Sequence, residues 1–340
     1  MLTLGIETSC DETSVAVTEG RRVLSNEVTS SIHLHKKYGG VVPEIASRYH
    51  VEYIEEVLDK ALKDSGKSLN DIKLISVTNG PGLVGALLIG ISVAKSLSYA
   101  AKKPLVGVNH VLAHLYSAFL SEGVPAKFPF VGLVVSGGHT ALFLCKGIGE
   151  QKLLGQTQDD AVGEAFDKVA KILGLGYPGG PVIEETAKRS SRANNIPFPK
   201  SYLGKDSLDF SFSGIKTAVL YYVRDKAHKG TGKKISAALA ADICYSFQEA
   251  ALDVLVDKAL LACRLNNTNS IIVGGGVAIN GRLREKFEEA GKASGIKAYF
   301  PEKRYCLDNA AMVASLGEEF YKKGHRSDLY LAAEPNLEVK

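Results

Sequence analysis

Paired cysteines are absent from this sequence. The five cysteines form no C-x-x-C pair: Cys10, Cys145, Cys244, Cys263 and Cys306. An odd number without such a pair argues against a disulfide framework and against a structural zinc knuckle. We therefore expect the protein to work in a reducing compartment.

Targeting signals and membrane spans are also missing. The N-terminus lacks a basic stretch, and Asp11 and Glu12 precede any apolar segment, so we expect no signal peptide. One uncharged run, residues 74–94, is long enough to span a bilayer, but Asn79–Gly82 interrupts it with the residues of a turn. That run is better interpreted as a strand, a turn and the start of a helix. We expect a soluble, cytoplasmic protein.

Composition is that of a globular protein, with 45% hydrophobic and 23% charged residues among 340. Its net charge is only +4, but residues 188–234 hold eleven Lys or Arg against three acidic residues. Such a basic block suggests a polyanionic partner, although a solvated helical face would have the same composition.

Two parts of the chain repeat one pattern. Residues 4–17 and 131–144 each consist of an apolar strand, a small polar turn and a second apolar strand. Strand–glycine–helix segments follow in each half, at 74–98 and at 270–290. We predict a duplicated α/β protein with an N-terminal lobe at 1–125, a C-terminal lobe at 126–340, and a helical insertion in the second lobe at about 157–250.

Three turns have the composition of anion sites. Thr8–Thr13 and Ser136–Thr140 occupy equivalent hairpin turns, and Gly274–Gly276 lies between a predicted strand and a predicted helix. Hydroxyl groups and closely approaching backbone N–H groups bind phosphates, although tight turns need glycine in any case. None of the three matches the P-loop pattern, so we predict nucleotide binding of another kind.

His110 and His114 form an H-x-x-x-H pair after the strand at 104–108, with Asn109 as the predicted helix N-cap. Histidines at this spacing lie on one helical face, about 5–6 Å apart at Cβ, as a shared metal requires. For an isolated pair, two half-buried polar side chains are the more common explanation. The glutamate of H-E-x-x-H is absent.

The duplication supplies a third candidate ligand. Asp308 follows the equivalent strand of the second lobe, and we expect it to face the two histidines from the opposite lobe. Two histidines and a carboxylate suit Fe²⁺ or Zn²⁺ with open positions. Cys306 is a less favoured alternative ligand, and we expect His139 to lie nearer to substrate than to metal.

Seven segments, in order from residue 5 to residue 314, resemble the bacterial tRNA N6-adenosine threonylcarbamoyltransferases (TsaD family). They are GIETSCDETSVAV, NHVLAH, VVSGGHT, GEAFDKVAKILGLGYPGGP, FSFSGIKTA, GGGVAIN and CLDNAAMVA. The resemblance implies a duplicated actin/hexokinase-like (ASKHA) two-lobed fold with a cleft between the lobes. It also implies an acyltransferase-type enzyme of tRNA modification.

The implied reaction moves a threonylcarbamoyl group from threonylcarbamoyl-adenylate to N6 of the adenosine 3′ of the anticodon, in tRNAs reading codons that begin with A, and releases AMP. One Fe²⁺ or Zn²⁺ per subunit is implied at His110, His114 and Asp308. The implied partners, besides tRNA and the adenylate, are a smaller non-catalytic paralogue (TsaB) and an ATPase (TsaE).

Substrate contacts are implied by the resemblance at Val134, Val135, Ser136, Gly137, Gly138, Asp167, Gly180, Glu184 and Asn280. Asp11 and Glu12 are candidates for proton transfer or catalytic positioning, although an acidic N-terminal turn needs no function. Lys188, Arg189 and Arg192 are candidates for tRNA binding.

Three other functions remain open at this point. A metallopeptidase would use the histidine pair but lacks the adjacent glutamate. A sugar or acetate kinase fits the fold but not the histidines. A non-catalytic scaffold would not need His110, His114 and Asp308 together.

Overall fold

The computed structural model describes residues 1–124, 127–192, 195–229 and 235–339. The chain forms two compact units, and the predicted lobe boundary at 125/126 falls outside the described residues. Unit 1 comprises Met1–Lys127, Gly147–Gln151 and Pro301–Lys340, and unit 2 comprises Phe128–Lys146 and Lys152–Phe300.

Both units consist of strands and helices. The strands are β1 (Leu2–Glu7), β2 (Glu12–Glu19), β3 (Arg22–Ser30), β4 (Leu74–Gly80), β5 (Leu105–Asn109), β6 (Phe130–Val135), β7 (Thr140–Gly147), β8 (Glu150–Gln156), β9 (Ser270–Gly274) and β10 (Lys297–Tyr299). The α-helices are α1 (Ile32–His35), α2 (Pro43–Ser65), α3 (Val84–Ala101), α4 (His110–Tyr116), α5 (Val162–Leu173), α6 (Gly179–Ala187), α7 (Ser213–Lys229), α8 (Ala237–Leu265), α9 (Gly281–Ser294) and α10 (Ala310–Lys322).

Each unit contains a five-stranded mixed sheet of the same topology. The orders are β3-β2-β1-β4-β5 and β8-β7-β6-β9-β10. In both sheets the first two strands are antiparallel, and the next strand in sequence after the helical segment pairs parallel to the first. This strand-for-strand correspondence confirms the duplication that the sequence pattern predicts.

The core of unit 1 lies between its sheet and helices α2 and α3. β4 is buried along its whole length because it is a central strand covered on both faces. Helix α3 buries Leu87 and Ile91 in this core while Val84 and Leu88 stay about half exposed. By length and composition alone, α3 is long and apolar enough to cross a membrane. This is weak evidence for a membrane span, because a buried core helix meets the same two criteria.

The placement of the C-terminal segment differs from the sequence-based expectation. Residues 301–340 belong to unit 1, not to the second lobe. The physical reason is the packing of α10 directly on the sheet of unit 1. A Cβ on Gly5 would lie 2.8 Å from Ala314 Cβ, and one on Gly317 would lie 2.6 Å from Ser76 Cβ. Glycines at both positions allow this close approach.

Helices α5 to α8 occupy the predicted insertion in unit 2. α5 begins at Val162, close to the predicted start of the insertion at about 157, and ends at Leu173. The predicted end of the insertion near 250 falls inside α8, which continues without a break to Leu265. The boundary is therefore not marked by a change of element.

Candidate metal centre and substrate site

Three strand ends meet at one edge of the sheet in unit 1. β1, β4 and β5 are parallel neighbours, so Glu7, Thr78 and Asn109 lie at or near the same carboxyl edge. Thr78 Oγ1 donates to Glu7 Oε2 at 2.6 Å, and the Ser9 backbone N–H donates to Glu7 Oε1 at 2.6 Å. The Glu7 carboxylate is thus fully buried but well supplied with donors.

Helix α4 begins at this edge and carries the histidine pair. Asn109 is its N-cap, as predicted, and its side chain accepts from the N–H groups of Val111 and Leu112. His110 and His114 are one turn apart, and their ring centroids lie 4.6 Å from each other. The local sequence therefore orders both rings on one side of a short, buried helix.

Asp308 reaches the same place from the segment before α10. Asn309 is the N-cap of α10, and the Ala310 N–H donates to Ser14 Oγ of β2. The helix start is thereby fixed against the sheet of unit 1. Asp308 does not approach from an opposite lobe, as the sequence led us to expect, because it belongs to the same unit as both histidines.

The three side chains form a group whose ligand atoms lie within 4.8 Å of one another. Both Nε2 atoms approach one oxygen: Asp308 Oδ1 lies 2.9 Å from His114 Nε2 and 3.6 Å from His110 Nε2. Two imidazoles and a carboxylate are a donor set that a divalent transition metal accepts. The residues present therefore fit a metal ion, and Cys306 is not a member of the group.

Carboxylates dominate the electrostatics of this centre. Burial alone would lower the pKa of His110, but Asp308 and Glu7 raise the pKa to about 9. Burial likewise opposes the charge on Glu7, and His110 outweighs it, so the Glu7 pKa lies below its usual value. A cation is thus favoured at this point, whether a proton or a metal.

Asp11 lies in the turn between β1 and β2, and Glu12 is the first residue of β2. Ser30 Oγ lies 3.3 Å from Asp11 Oδ2 and 3.4 Å from Glu12 Oε1, so one hydroxyl contacts both carboxyl groups. Burial, Asp308 and Asp11 raise the pKa of Glu12 well above its usual value. Burial and the same acidic neighbours raise the pKa of the Cys10 thiol, which therefore stays protonated.

Residues 134–138 comprise the end of β6 and the turn that follows it in unit 2. Val134 and Val135 are buried and pair with β7, and Ser136 accepts the His139 N–H on its Oγ at 3.1 Å. A Cβ on Gly137 or Gly138 would meet no atom within 4 Å. The backbone of this turn is therefore accessible, as an anion-binding turn must be.

Two acidic side chains of unit 2 hold backbone groups at helix starts. Asp167 Oδ1 accepts the Gly179 N–H at 2.6 Å, and Glu184 Oε1 accepts the Gly281 N–H at 2.9 Å. Asn280 is the N-cap of α9 and donates to Gln248 Oε1. The structure thus brings Asp167 beside the Gly179–Gly180 pair, and Glu184 beside Asn280.

The three candidate tRNA-binding side chains of the basic block are exposed, and each contacts a neighbouring residue. Lys188 and Arg189 are mostly exposed and form ion pairs with the exposed Glu185, an arrangement worth little energy. The Arg192 guanidinium lies 5.4 Å from the ring of Tyr245. Residues 233 and 234, two lysines that contribute to the predicted block, lie outside the described residues.

Glu7 and Thr78 belong to the site although the sequence patterns did not predict them. The available signal was a lone glutamate at the end of an otherwise apolar strand, where a charge needs partners to be buried. Nothing in the local sequence of β4 indicates that Thr78 is one of those partners.

Solved structures of similar shape share the fold at low identity. HypF in its phosphate- and nucleotide-bound form aligns with a TM-score of 0.60 and 15% identity, over 95% of this chain and 46% of HypF. The activator of 2-hydroxyisocaproyl-CoA dehydratase from Clostridium difficile, with bound ADPNP, aligns with a TM-score of 0.55 and 15% identity, over 95% of this chain and 97% of the activator. These likenesses confirm the predicted actin/hexokinase-like class of fold.

Sequence comparisons identify the family. The model of the TsaD family, described as tRNA N6-adenosine threonylcarbamoyltransferase, matches residues 22–315. A curated relative of that name from Dictyoglomus turgidum is 53% identical over 338 residues, which is 99% of this chain and 98% of the relative. Another from Thermosipho africanus is 48% identical over 339 residues, covering both chains completely. The chain therefore belongs to the family of tRNA N6-adenosine threonylcarbamoyltransferases, as its motifs predict.

Proposed function

We propose that this protein transfers a threonylcarbamoyl group from threonylcarbamoyl-adenylate to N6 of the adenosine 3′ of the anticodon, in tRNAs that read codons beginning with A. Family membership over the whole chain supports transfer to a tRNA adenosine. The observation that carries the chemistry is the convergence of His110, His114 and Asp308 within 4.8 Å. A peptidase, a sugar kinase or a scaffold would not have both this ligand group and these relatives.

The reaction needs an activated acyl donor and a place for one proton. The N6 amine of adenosine attacks the carbamoyl carbonyl carbon, a C–N bond forms, the C–O bond to phosphate breaks, and AMP leaves. The amine proton must pass to a base. We assign that role to the Asp11–Glu12 pair, because both carboxyl groups lie at the turn between β1 and β2 and contact the same Ser30 hydroxyl, and burial and acidic neighbours raise the pKa of Glu12, which makes its carboxylate a stronger base.

Fe²⁺ or Zn²⁺ is the metal that we assign to His110, His114 and Asp308. These ions accept imidazole and carboxylate ligands and leave positions open for substrate. When bound, such an ion would supply Lewis-acid polarisation of a substrate oxygen. The two histidines and Asp308 supply the ligand geometry, and the Asp308 carboxylate gives the site negative charge.

We assign the threonylcarbamoyl-adenylate site to unit 2. The accessible backbone of Gly137 and Gly138, together with the Ser136 side chain, would bind phosphate or a developing oxyanion, a type of contact worth about 2.7–4 kcal/mol. Val134 and Val135 hold this turn at the strand end. The further contacts that we assign to substrate are Asp167, Gly180, Glu184 and Asn280.

Partners follow from the same assignment. Exposed Lys188 and Arg189, with Arg192, would contact tRNA phosphates. We assign the half-exposed apolar side chains of α3 (Val84 and Leu88) to a heterodimer contact with TsaB, and we include TsaE as the associated ATPase. The cytoplasm, where tRNA is modified, is the proposed location.

The transferase proposal is tested with purified protein, TsaB, TsaE, threonylcarbamoyl-adenylate and unmodified tRNA. Modified adenosine is measured by mass spectrometry and AMP by chromatography. We expect both products in equal amounts from the wild type, and a loss of at least about 100-fold in His110→Ala and Asp308→Ala, since changing groups that only support a metal ligand already costs about 10–100-fold. His325→Ala, a change at an exposed histidine of unit 1, should retain activity. Absence of product from the wild type with active partners would refute the proposal.

A further inference from the structure

Glu7 is a buried carboxylate next to the metal ligands but not one of them. It is 0% exposed, and it lies at the end of β1, directly under the start of α4. A buried charge of this kind is retained only when every oxygen has a donor. The donors that contact the Glu7 carboxylate therefore indicate its role in the site.

Donor groups surround the Glu7 carboxylate. Oε1 accepts the Ser9 N–H, and Oε2 accepts the Thr78 hydroxyl. His110 Nδ1 also lies 3.1 Å from Oε2. Because an ionised carboxylate only accepts, the hydrogen in this last contact must be on His110 Nδ1. Ser9 Oγ, at 3.1 Å from the same nitrogen, can accept a share of it.

This contact decides which nitrogen of His110 is available for a metal. A neutral imidazole carries one N–H, so a hydrogen on Nδ1 leaves the lone pair on Nε2. Nε2 is the nitrogen that faces Asp308 Oδ1. The carboxylate thus selects the tautomer whose free nitrogen points toward the other ligands.

His114 provides an internal contrast. Its Nε2 contacts Asp308 at 2.9 Å, but its buried Nδ1 has no hydrogen-bond partner among the described residues. Within that part of the chain, no carboxylate accepts a hydrogen from Nδ1 of this second ring, so nothing there holds the hydrogen on Nδ1 as Glu7 does in His110. The two histidines, although one turn apart, are therefore held by different means.

We propose that Glu7 is the positioning residue for His110, and that it raises metal affinity by holding Nε2 in the ligating tautomer. This inference rests on the proposed metal site. Partner groups of this kind typically change metal affinity by about 10–100-fold.

Glu7→Gln tests the proposal because it keeps the size of the side chain. Ser9, Thr78 and His110 all donate to Glu7, whereas glutamine presents only one acceptor oxygen. Either Ser9 or His110 must then face an NH₂ group. If His110 does, its hydrogen moves to Nε2, and the ligating lone pair is lost.

Glu318→Gln is the matched control. Glu318 is a second buried glutamate of unit 1, only 1% exposed, and it also accepts several hydrogen bonds. Its partners are Met1, Thr3, Gly20 and Lys322, none of which is a metal ligand. Any general cost of replacing a buried carboxylate should appear in both variants.

The measurement is the dissociation constant of Zn²⁺, by competition with a chromophoric chelator, in protein shown to be folded by circular dichroism. We expect Glu7→Gln to bind about 10–100-fold more weakly than wild type and Glu318→Gln to bind normally. Glu7→Asp, which keeps the charge, should recover part of the affinity. If Glu7→Gln does not fold, Glu7→Asp carries the test, with a smaller loss expected.

A second readout separates positioning from mere stability. In ¹⁵N-histidine NMR spectra of the Zn²⁺-loaded wild type, the His110 hydrogen should be on Nδ1. Equal Zn²⁺ affinity in wild type and both Glu7 variants, or a hydrogen on His110 Nε2 in the wild type, would overturn the inference. A wild type that binds no Zn²⁺ or Fe²⁺ would instead overturn the proposed metal site itself.

Discussion

Removal of the metal should make the stability of this protein depend on the charge of His110. The carboxylates of Asp308 and Glu7 outweigh the effect of burial and raise the His110 pKa from 6.5 to about 9. A raised pKa in the folded state stabilises the fold below the unfolded pKa, and this contribution is lost as the pH rises through about 9. With about 1.4 kcal/mol for each pKa unit, the contribution is about 3 kcal/mol.

The assay is urea unfolding of chelator-treated protein at about pH 6.5 and about pH 9.5, followed by circular dichroism. The His110→Asn variant serves as the reference, since it keeps every other titrating group. We expect the free energy of unfolding of the wild type to fall by about 3 kcal/mol more than that of the variant over this range. Saturating Zn²⁺ should abolish the difference, because a metal-bound imidazole stays neutral. Equal pH dependence in chelated wild type and variant would refute this account of the site.

Two further predictions concern tRNA binding and packing. Changing Lys188, Arg189 and Arg192 together to alanine should weaken tRNA binding and reduce the slope of log affinity against log salt by about 3, because three cations would no longer neutralise phosphates; unchanged affinity at low salt would exclude this surface. Gly5→Ala should lower the free energy of unfolding by about 1–3 kcal/mol, because its Cβ would lie 2.8 Å from Ala314 Cβ in α10. Gly40→Ala, where a Cβ meets no atom within 4 Å, should change it by less than about 0.5 kcal/mol, and similar losses in the two variants would contradict the packing argument.

Much of the fold could be predicted because the duplication appears as local sequence patterns. An apolar strand, a polar turn and a second strand occur at equivalent places in both halves, and both became the first hairpin of a sheet. The Asn109 cap and the histidine spacing are also local, so helix α4 and its paired rings were predictable. These features depend on residues within a few positions of each other.

The errors concern contacts between distant parts of the chain. Asp308 was correctly paired with the histidines but assigned to the wrong lobe, because nothing local shows that α10 returns to the first sheet. That return depends on close approach at Gly5 and Gly317, which sequence spacing does not reveal. Glu7 was missed for the same reason, since its donors come from β4 and α4.

The central claim is that this family member needs one metal ion at His110, His114 and Asp308 for transfer. The most direct test titrates Fe²⁺ or Zn²⁺ into chelated protein with its partners, and measures modified adenosine against bound metal. We predict no product without metal, a rise that saturates at one ion per chain, and no recovery in Asp308→Ala. Full activity in protein shown to contain no metal would contradict the account.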